Sequence, residues 1–361
     1  MLELFAPVKE LLCVEPLRID NLVFRLHSRL TVLLLSVCAI LVTAKQLVGE
    51  PISCVTDSDG FESEPVNAYC WIYSTFTVKR HLRGIPGREV AAPGVGQALD
   101  KDEILHHRYY QWVCIVLALQ ATTFYAPRAL WQVWEGGIVS YLAQDLASPF
   151  ARDTWTNEHR SRLLSYFSDS LTRGHNIYAL RFFACEILNF FNSLSQMYLL
   201  NLLLEGQFSR YGPAVMGLTS ETKPFERVDP MARLFPKLTK CTIHTFGPGG
   251  SSQTHDALCV LPLNVVNEKI FVLLWFWLVF LAGAGALALI YRLMVLTQPW
   301  ARIILVRASI PGLSRMTAER LVRNLGFGDW FLLRQLTKNA NPLVLRQLIH
   351  DLTDDYPKVD V

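Results

Sequence analysis

At 361 residues the chain could hold two or three soluble domains or one polytopic membrane protein. Hydrophobic residues make up 51% and charged residues only 18%, with a mean hydropathy of +0.26, which favours the membrane over a soluble fold. A net charge of +3 without a basic stripe interleaved with aromatics excludes a nucleic-acid partner, and eight cysteines are too sparse for a small disulfide-stapled scaffold.

Residues 1–29 precede the first apolar run. Glu3, Lys9, Glu10, Glu15, Arg18, Asp20 and Arg25 are spread through them, unlike the short basic start of a signal peptide. Leu2 stands where a myristoylation signal needs glycine. Leu2, Leu4, Phe5, Val8, Leu11 and Leu12 fall at spacings compatible with an amphipathic helix, which periodicity alone would lay on a membrane surface or fold into a pore.

A bilayer core of about 30 Å takes roughly 20 mostly apolar residues in helix. The first such segment covers residues 30–48 and is uncharged until Lys45, whose stem can reach an interface. The second covers residues 109–131, bounded by Tyr109, Tyr110 and Trp112 at one end and Trp131 at the other, as interfacial belts are. The third, residues 177–204, carries Arg181, Glu186, Asn189, Asn192 and Gln196. The fourth, residues 270–291, is uncharged from Ile270 to Ile290.

Four spans put both termini on one side, and the arginines flanking the spans select the cytoplasm for it. Residues 49–108 and 205–269 then form two outer loops, residues 132–176 an inner loop and residues 292–361 a cytoplasmic tail. Arg315–Leu325 and Leu343–Leu352 repeat apolar residues at helical spacing, so loop and tail are expected to pack as a helical cap. The fold class expected is an all-α membrane protein with four transmembrane helices and outer loops holding short strands and helices.

This topology puts Cys54 and Cys70 in the first outer loop and Cys241 and Cys259 in the second, an even number suited to oxidised pairing. Sequence leaves three connectivities open. Cys241, His244, His255 and Cys259 also match a zinc spacing, but an outer loop favours disulfides, so no metal is expected. Glu186, Asn189, Ser193 and Gln196 share one helical face, which suits glue between helices or a conduction lining, with Arg181 the nearby partner region for Glu186. No nucleophile–base set, phosphate loop or inverted repeat is visible, so neither an enzyme nor a transporter is expected, and no cofactor. His106-His107 reads as an interfacial or solvated pair. The absence of any Asn-x-Ser/Thr sequon suits surfaces that must come into close apposition.

Several motifs carry a resemblance. Tyr109-Tyr110-Gln111-Trp112-Val113 opens the second span, preceded by Tyr69-Cys70-Trp71-Ile72-Tyr73 and followed by Phe124-Tyr125-Ala126-Pro127-Arg128 and Trp134-Glu135-Gly136-Gly137. Asp229-Pro230-Met231-Ala232, Phe235-Pro236-Lys237, Cys259-Val260-Leu261-Pro262-Leu263-Asn264, Asn267-Glu268-Lys269-Ile270 and Gly328-Asp329-Trp330-Phe331-Leu332 follow. On these residues the chain resembles the innexins, the invertebrate gap-junction family, and its insect members in particular. Many members have proline where this chain has Cys114.

The resemblance implies a large-pore channel with cytoplasmic termini, assembled as a ring of eight subunits. Its hemichannels dock across two cells and pass ions and small solutes, or work undocked to release ATP and small solutes. It also implies disulfides Cys54–Cys259 and Cys70–Cys241. Met1, Leu2, Leu4 and Phe5 would form a pore funnel, and the first two spans would lie nearest the pore, which makes Lys45 the stronger pore-charge candidate and the polar face of the third span glue between helices; Tyr109, Tyr110, Gln111 and Trp112 are the signature. The partners implied are further copies of the chain, other innexins and membrane lipids.

Overall fold

The computed structural model describes residues 17–56, 62–83, 87–99, 101–143, 157–168, 172–220 and 230–355. The expected pore-funnel residues Met1, Leu2, Leu4 and Phe5 lie outside them. In chain order the structure begins with α1 (Leu22–Leu47), β1 (Ser53–Thr56), α2 (Ser63–Tyr73), β2 (Thr75–Val78) and β3 (Ile104–His107). Then come α3 (Val113–Glu135), α4 (Ile138–Ala143), α5 (Asn157–Ser168), α6 (Thr172–Leu203), α7 (Phe208–Ser220) and α8 (Pro230–Leu234). A hairpin of β4 (Leu238–Phe246) and β5 (Ser252–Val260) leads into α9 (Pro262–Thr297). Four further helices close the chain: α10 (Pro299–Ser309), α11 (Arg315–Asn324), α12 (Phe327–Leu336) and α13 (Pro342–Asp355).

Among the described residues three helices, α1, α3 and α9, are long and apolar enough to cross a membrane. At 1.5 Å per residue, the 26 residues of α1 run about 39 Å, more than a bilayer core. The Asn21 side chain caps α1 by accepting from the Phe24 N–H at 2.7 Å. A π turn at Leu26–Leu30 widens its first part, and there the Thr31 hydroxyl donates to the Leu26 carbonyl at 2.8 Å. Pro127 sits inside α3 without ending it.

The third expected span is less regular. Its polar residues hold α6 below the apolar threshold, and it qualifies only when joined to α7 across an 87° bend. Glu205 (φ 50) and Gly206 (φ 80), both left-handed, turn the chain there. The fourth is longer than residues 270–291: α9 has 36 residues and begins at Pro262.

The described chain forms two compact units, whose boundaries fall within α1, α3, α6 and α9. The sheet unit comprises residues 34–122 and 193–280. Its five strands run in the order β1-β5-β4-β2-β3, with antiparallel pairing throughout. Thr239, Cys241 and Ile243 alternate inward along β4, the period of a half-buried strand. The helical expectation holds for most of the chain, but two of these strands have nine residues each, so the sheet is more than the short strands expected.

The helical unit holds the described residues up to Leu33, 123–192 and 281 onward. Phe24, Trp131, Phe182, Trp330 and Phe331 are among the large side chains of its core. α11 and α13 realise the two helical repeats read in the tail, and the Ser314 hydroxyl caps α11 by accepting from the Thr317 N–H at 3.1 Å. Gly328 lets the first turn of α12 reach the start of α6. A Cβ there would lie 2.3 Å from the His175 and Asn176 backbone.

Candidate functional site: a cross-linked sheet and buried charges

Cys54 on β1 lies directly opposite Cys259 on β5, and the two form a disulfide with Cα atoms 4.0 Å apart. Cys70 on α2 is bonded to Cys241 on β4. These bridges join residues 205 and 171 positions apart, so both tie the first loop to the second. In β4–β5 the register sets His255 opposite Ile243, on the same face as Cys241, while His244 faces the other way. The four residues of the zinc spacing therefore do not converge. The His255 ring nitrogen Nε2 instead meets the Thr245 hydroxyl at 3.0 Å.

The signature motif is a joint. Tyr109–Gln111 makes a 3-10 turn ahead of α3, and Tyr110 is fully buried with its ring 4.7 Å from that of Trp71. Its carbonyl accepts from the Gln46 amide at 3.0 Å, and Gln111 donates to the Trp71 carbonyl. The Tyr109 hydroxyl donates to the Leu234 carbonyl at 3.2 Å, while its ring packs edge-on against Phe235. One tripeptide thus fixes the end of α1, α2 and α8 around the start of α3. Trp112 remains 56% exposed.

The neighbouring β3 ends in a buried histidine. His107 Nε2 meets the Thr77 hydroxyl at 2.9 Å. Burial, reinforced by His106, pushes its pKa down to about 4, so this ring is neutral at pH 7. The two neighbours face different directions, from a strand rather than the expected helix: His106 is exposed and His107 is buried.

Asn264, Asn267 and Glu268, at the start of α9, are buried polar residues that sequence reasoning treated only as family markers. Asn264 donates to the Pro236 carbonyl at 2.8 Å, the Tyr211 hydroxyl donates to the Glu268 carbonyl at 3.0 Å, and Lys237 and Lys269 flank the Glu268 carboxylate at 3.2 and 3.1 Å. Burial without partners would cost several kcal/mol. With them, the helix can begin eight residues before its apolar run.

Within the helical unit the partner of Glu186 is Arg292, not Arg181. Arg292 reaches it with two bonds, of 2.7 and 3.0 Å, and Asn21 donates to the same carboxylate. Arg181 instead lies over the Trp134 ring at 5.8 Å. The physical reason is helical geometry: a residue five positions earlier is off the face that carries Glu186, whereas α9 supplies Arg292 from outside. The rings of Phe182, Phe183 and Phe331 surround that guanidinium at 5.2 to 5.5 Å. Asn189, Ser193 and Gln196 are buried with Glu186, as one shared face requires. Two more buried pairs, Arg128–Asp20 at 2.8 Å and His175–Asp329 at 2.5 Å, tie the unit together. Lys45 is half-buried near the end of α1, its stem beside Gly49.

The family model described as Innexin matches residues 20–356. The chain is 49% identical over 354 residues to innexin inx2 of Drosophila melanogaster, covering 98% of this chain and 95% of that one. It is 47% identical over 353 residues to innexin inx2 of Schistocerca americana, covering 98% and 97%. To innexin shaking-B of Drosophila melanogaster it is 39% identical over 355 residues, covering 98% and 95%.

Proposed function

The chain belongs to the innexin family and is a gap-junction channel subunit of the membrane, and on that premise we propose how its parts divide the work. The family forms oligomeric channels and not enzymes. We place both termini in the cytoplasm, the sheet-forming loops 49–108 and 205–269 outside, and the loop 132–176 and tail 292–361 inside. The positive flanks of the spans support this orientation. Four spans per subunit, the third being α6, surround a wide pore in a ring of eight. Met1, Leu2, Leu4 and Phe5 narrow its cytoplasmic mouth, and Lys45 supplies charge near its outer end. Other innexins are candidate ring partners.

The observation that carries docking is the pair of disulfides that makes one sheet out of both loops. A docking surface must hold its shape without a large core of its own, and cross-links supply that rigidity in an oxidising compartment. Electron microscopy of purified particles, combined with recordings from paired cells, tests the reading. Face-to-face eight-membered rings and conductance between paired cells are expected. Single rings, dye uptake in single cells and no coupling between pairs would overturn docking and leave an undocked hemichannel that releases ATP and small solutes.

A further inference from the structure

A cavity of about 550 Å³ opens in the sheet unit where α6 ends and α3 begins. Its volume lies in the range of small-molecule sites. Arg108 and Arg233 line it, and neither guanidinium has an ion-pair partner among the described residues. The carboxylate-bearing Glu205 lines it too, at the left-handed turn after α6. Trp112 adds an exposed indole, and Leu203 and Leu204 an apolar floor. The buried neighbour His107 is neutral at pH 7, so the positive charge belongs to the arginines.

We propose that this cleft binds the headgroup of a zwitterionic phospholipid, its phosphate on Arg108 and Arg233 and its ammonium on Glu205 and Trp112. The chemistry is complementary at each point. Guanidinium forks match phosphate oxygens, carboxylates and indole faces attract ammonium, and leucines suit the first acyl carbons. Position agrees as well. The cleft lies where two helices proposed to span the bilayer end, the level at which Trp concentrates and headgroups sit. The inference rests on that spanning reading. A bound lipid would fasten the joint built by the signature tripeptide to the surrounding membrane.

The test uses the full chain as its purified oligomer, stripped of lipid in detergent and then offered phosphatidylethanolamine, phosphatidic acid or inorganic phosphate. Retained mass per subunit is read by native mass spectrometry. One phosphatidylethanolamine per subunit is expected, with affinity falling about tenfold or more in Arg108→Ala/Arg233→Ala and kept in Arg108→Lys/Arg233→Lys. Glu205→Gln should shift preference from phosphatidylethanolamine toward phosphatidic acid, a readout that loss of folding would not produce. Equal retention by wild type and the alanine variant would overturn the site. So would displacement of the lipid by millimolar phosphate, which would make it a free-anion site, or a lipid-free ring that holds together in the wild type and falls apart in the alanine variant, which would make the cleft a subunit contact. Resistance of the chain to alkaline extraction from membranes, measured in parallel, separates the two levels: its loss sinks the spanning reading itself.

Discussion

The sheet unit and the helical unit solve the same problem, joining chain segments far apart in sequence, by opposite means. The sheet unit uses covalent bonds across 205 and 171 residues. The helical unit uses buried polar pairs: the ion pairs Arg128–Asp20 and Arg292–Glu186 and the His175–Asp329 hydrogen bond connect segments 108, 106 and 154 residues apart. A disulfide acts chiefly on the unfolded ensemble and does not care about salt. A buried ion pair is balanced between desolvation and attraction, so it adds little by its presence and costs much when one partner goes. The first unit is therefore vulnerable to reductant, the second to loss of a single charge. On the proposed orientation, that contrast matches an oxidising exterior for the first unit and a reducing cytoplasm for the second.

The largest effect should come from cutting the longer bridge. With Cys70–Cys241 still closing the chain, this bridge adds a loop of about 35 residues, worth about 4 kcal/mol of loop-closure entropy, so Cys54→Ser/Cys259→Ser should unfold the sheet unit at lower temperature and protect fewer of its amides in hydrogen exchange. Protection in α11 to α13 should stay unchanged, and equal losses in both units would erase the contrast. Next, Glu186→Ala should destabilise the helical unit by about 3–5 kcal/mol by leaving Arg292 buried and unpaired. Glu186→Met/Arg292→Met should recover most of it in thermal scans of the purified protein. A double variant no better than the single one would mean that packing, not charge, holds this point.

The contrast has a pH signature too. His107 has a folded pKa of about 4 against an ordinary value of 6.5, so between those values the folded state binds fewer protons than the unfolded one. The contribution of neutral His107 to the stability of the sheet unit is then fully present above pH 6.5 and lost as pH falls toward 4, on the order of 3 kcal/mol. His107→Asn should flatten that loss in pH-dependent melting, and an unchanged slope would contradict the assignment. The smallest effect is a gain. Ser74, between α2 and β2, holds φ at 90 and ψ at 154, a region natural only to glycine, so Ser74→Gly should stabilise the sheet unit by about 1 kcal/mol in the same melts.

How much of this was legible varied by region. The three apolar helices were visible by length, because an uncharged run of roughly 20 residues matches the thickness of a bilayer core. The sheet was harder to see. β1, β2 and β3 have four residues each, too few for a period to stand out, and in β4 the alternation of Thr239, Cys241 and Ile243 was masked by the metal-like spacing of its Cys and His. The early start of α9 was hidden because Asn264 and Glu268 read as loop residues until their partners at Pro236, Lys237 and Lys269 are known. Arg292 was out of reach for a different reason. Helical spacing proposes only near neighbours, and nothing local marks a residue 106 positions away. The four loop cysteines were an obvious even set whose pairing the residues left open; the family resemblance implied Cys54–Cys259 and Cys70–Cys241, and both bridges are present, with the pairing of β1 and β5 setting Cys54 against Cys259.

The central claim is that cross-linking the two loops into one sheet is what makes the channel an intercellular one. Junctional conductance between paired cells expressing Cys54→Ser, alongside the amount of variant labelled at the cell surface, tests it most directly. The account predicts that protein still reaches the surface while conductance between the cells is lost. Normal conductance with the bridge absent would contradict it.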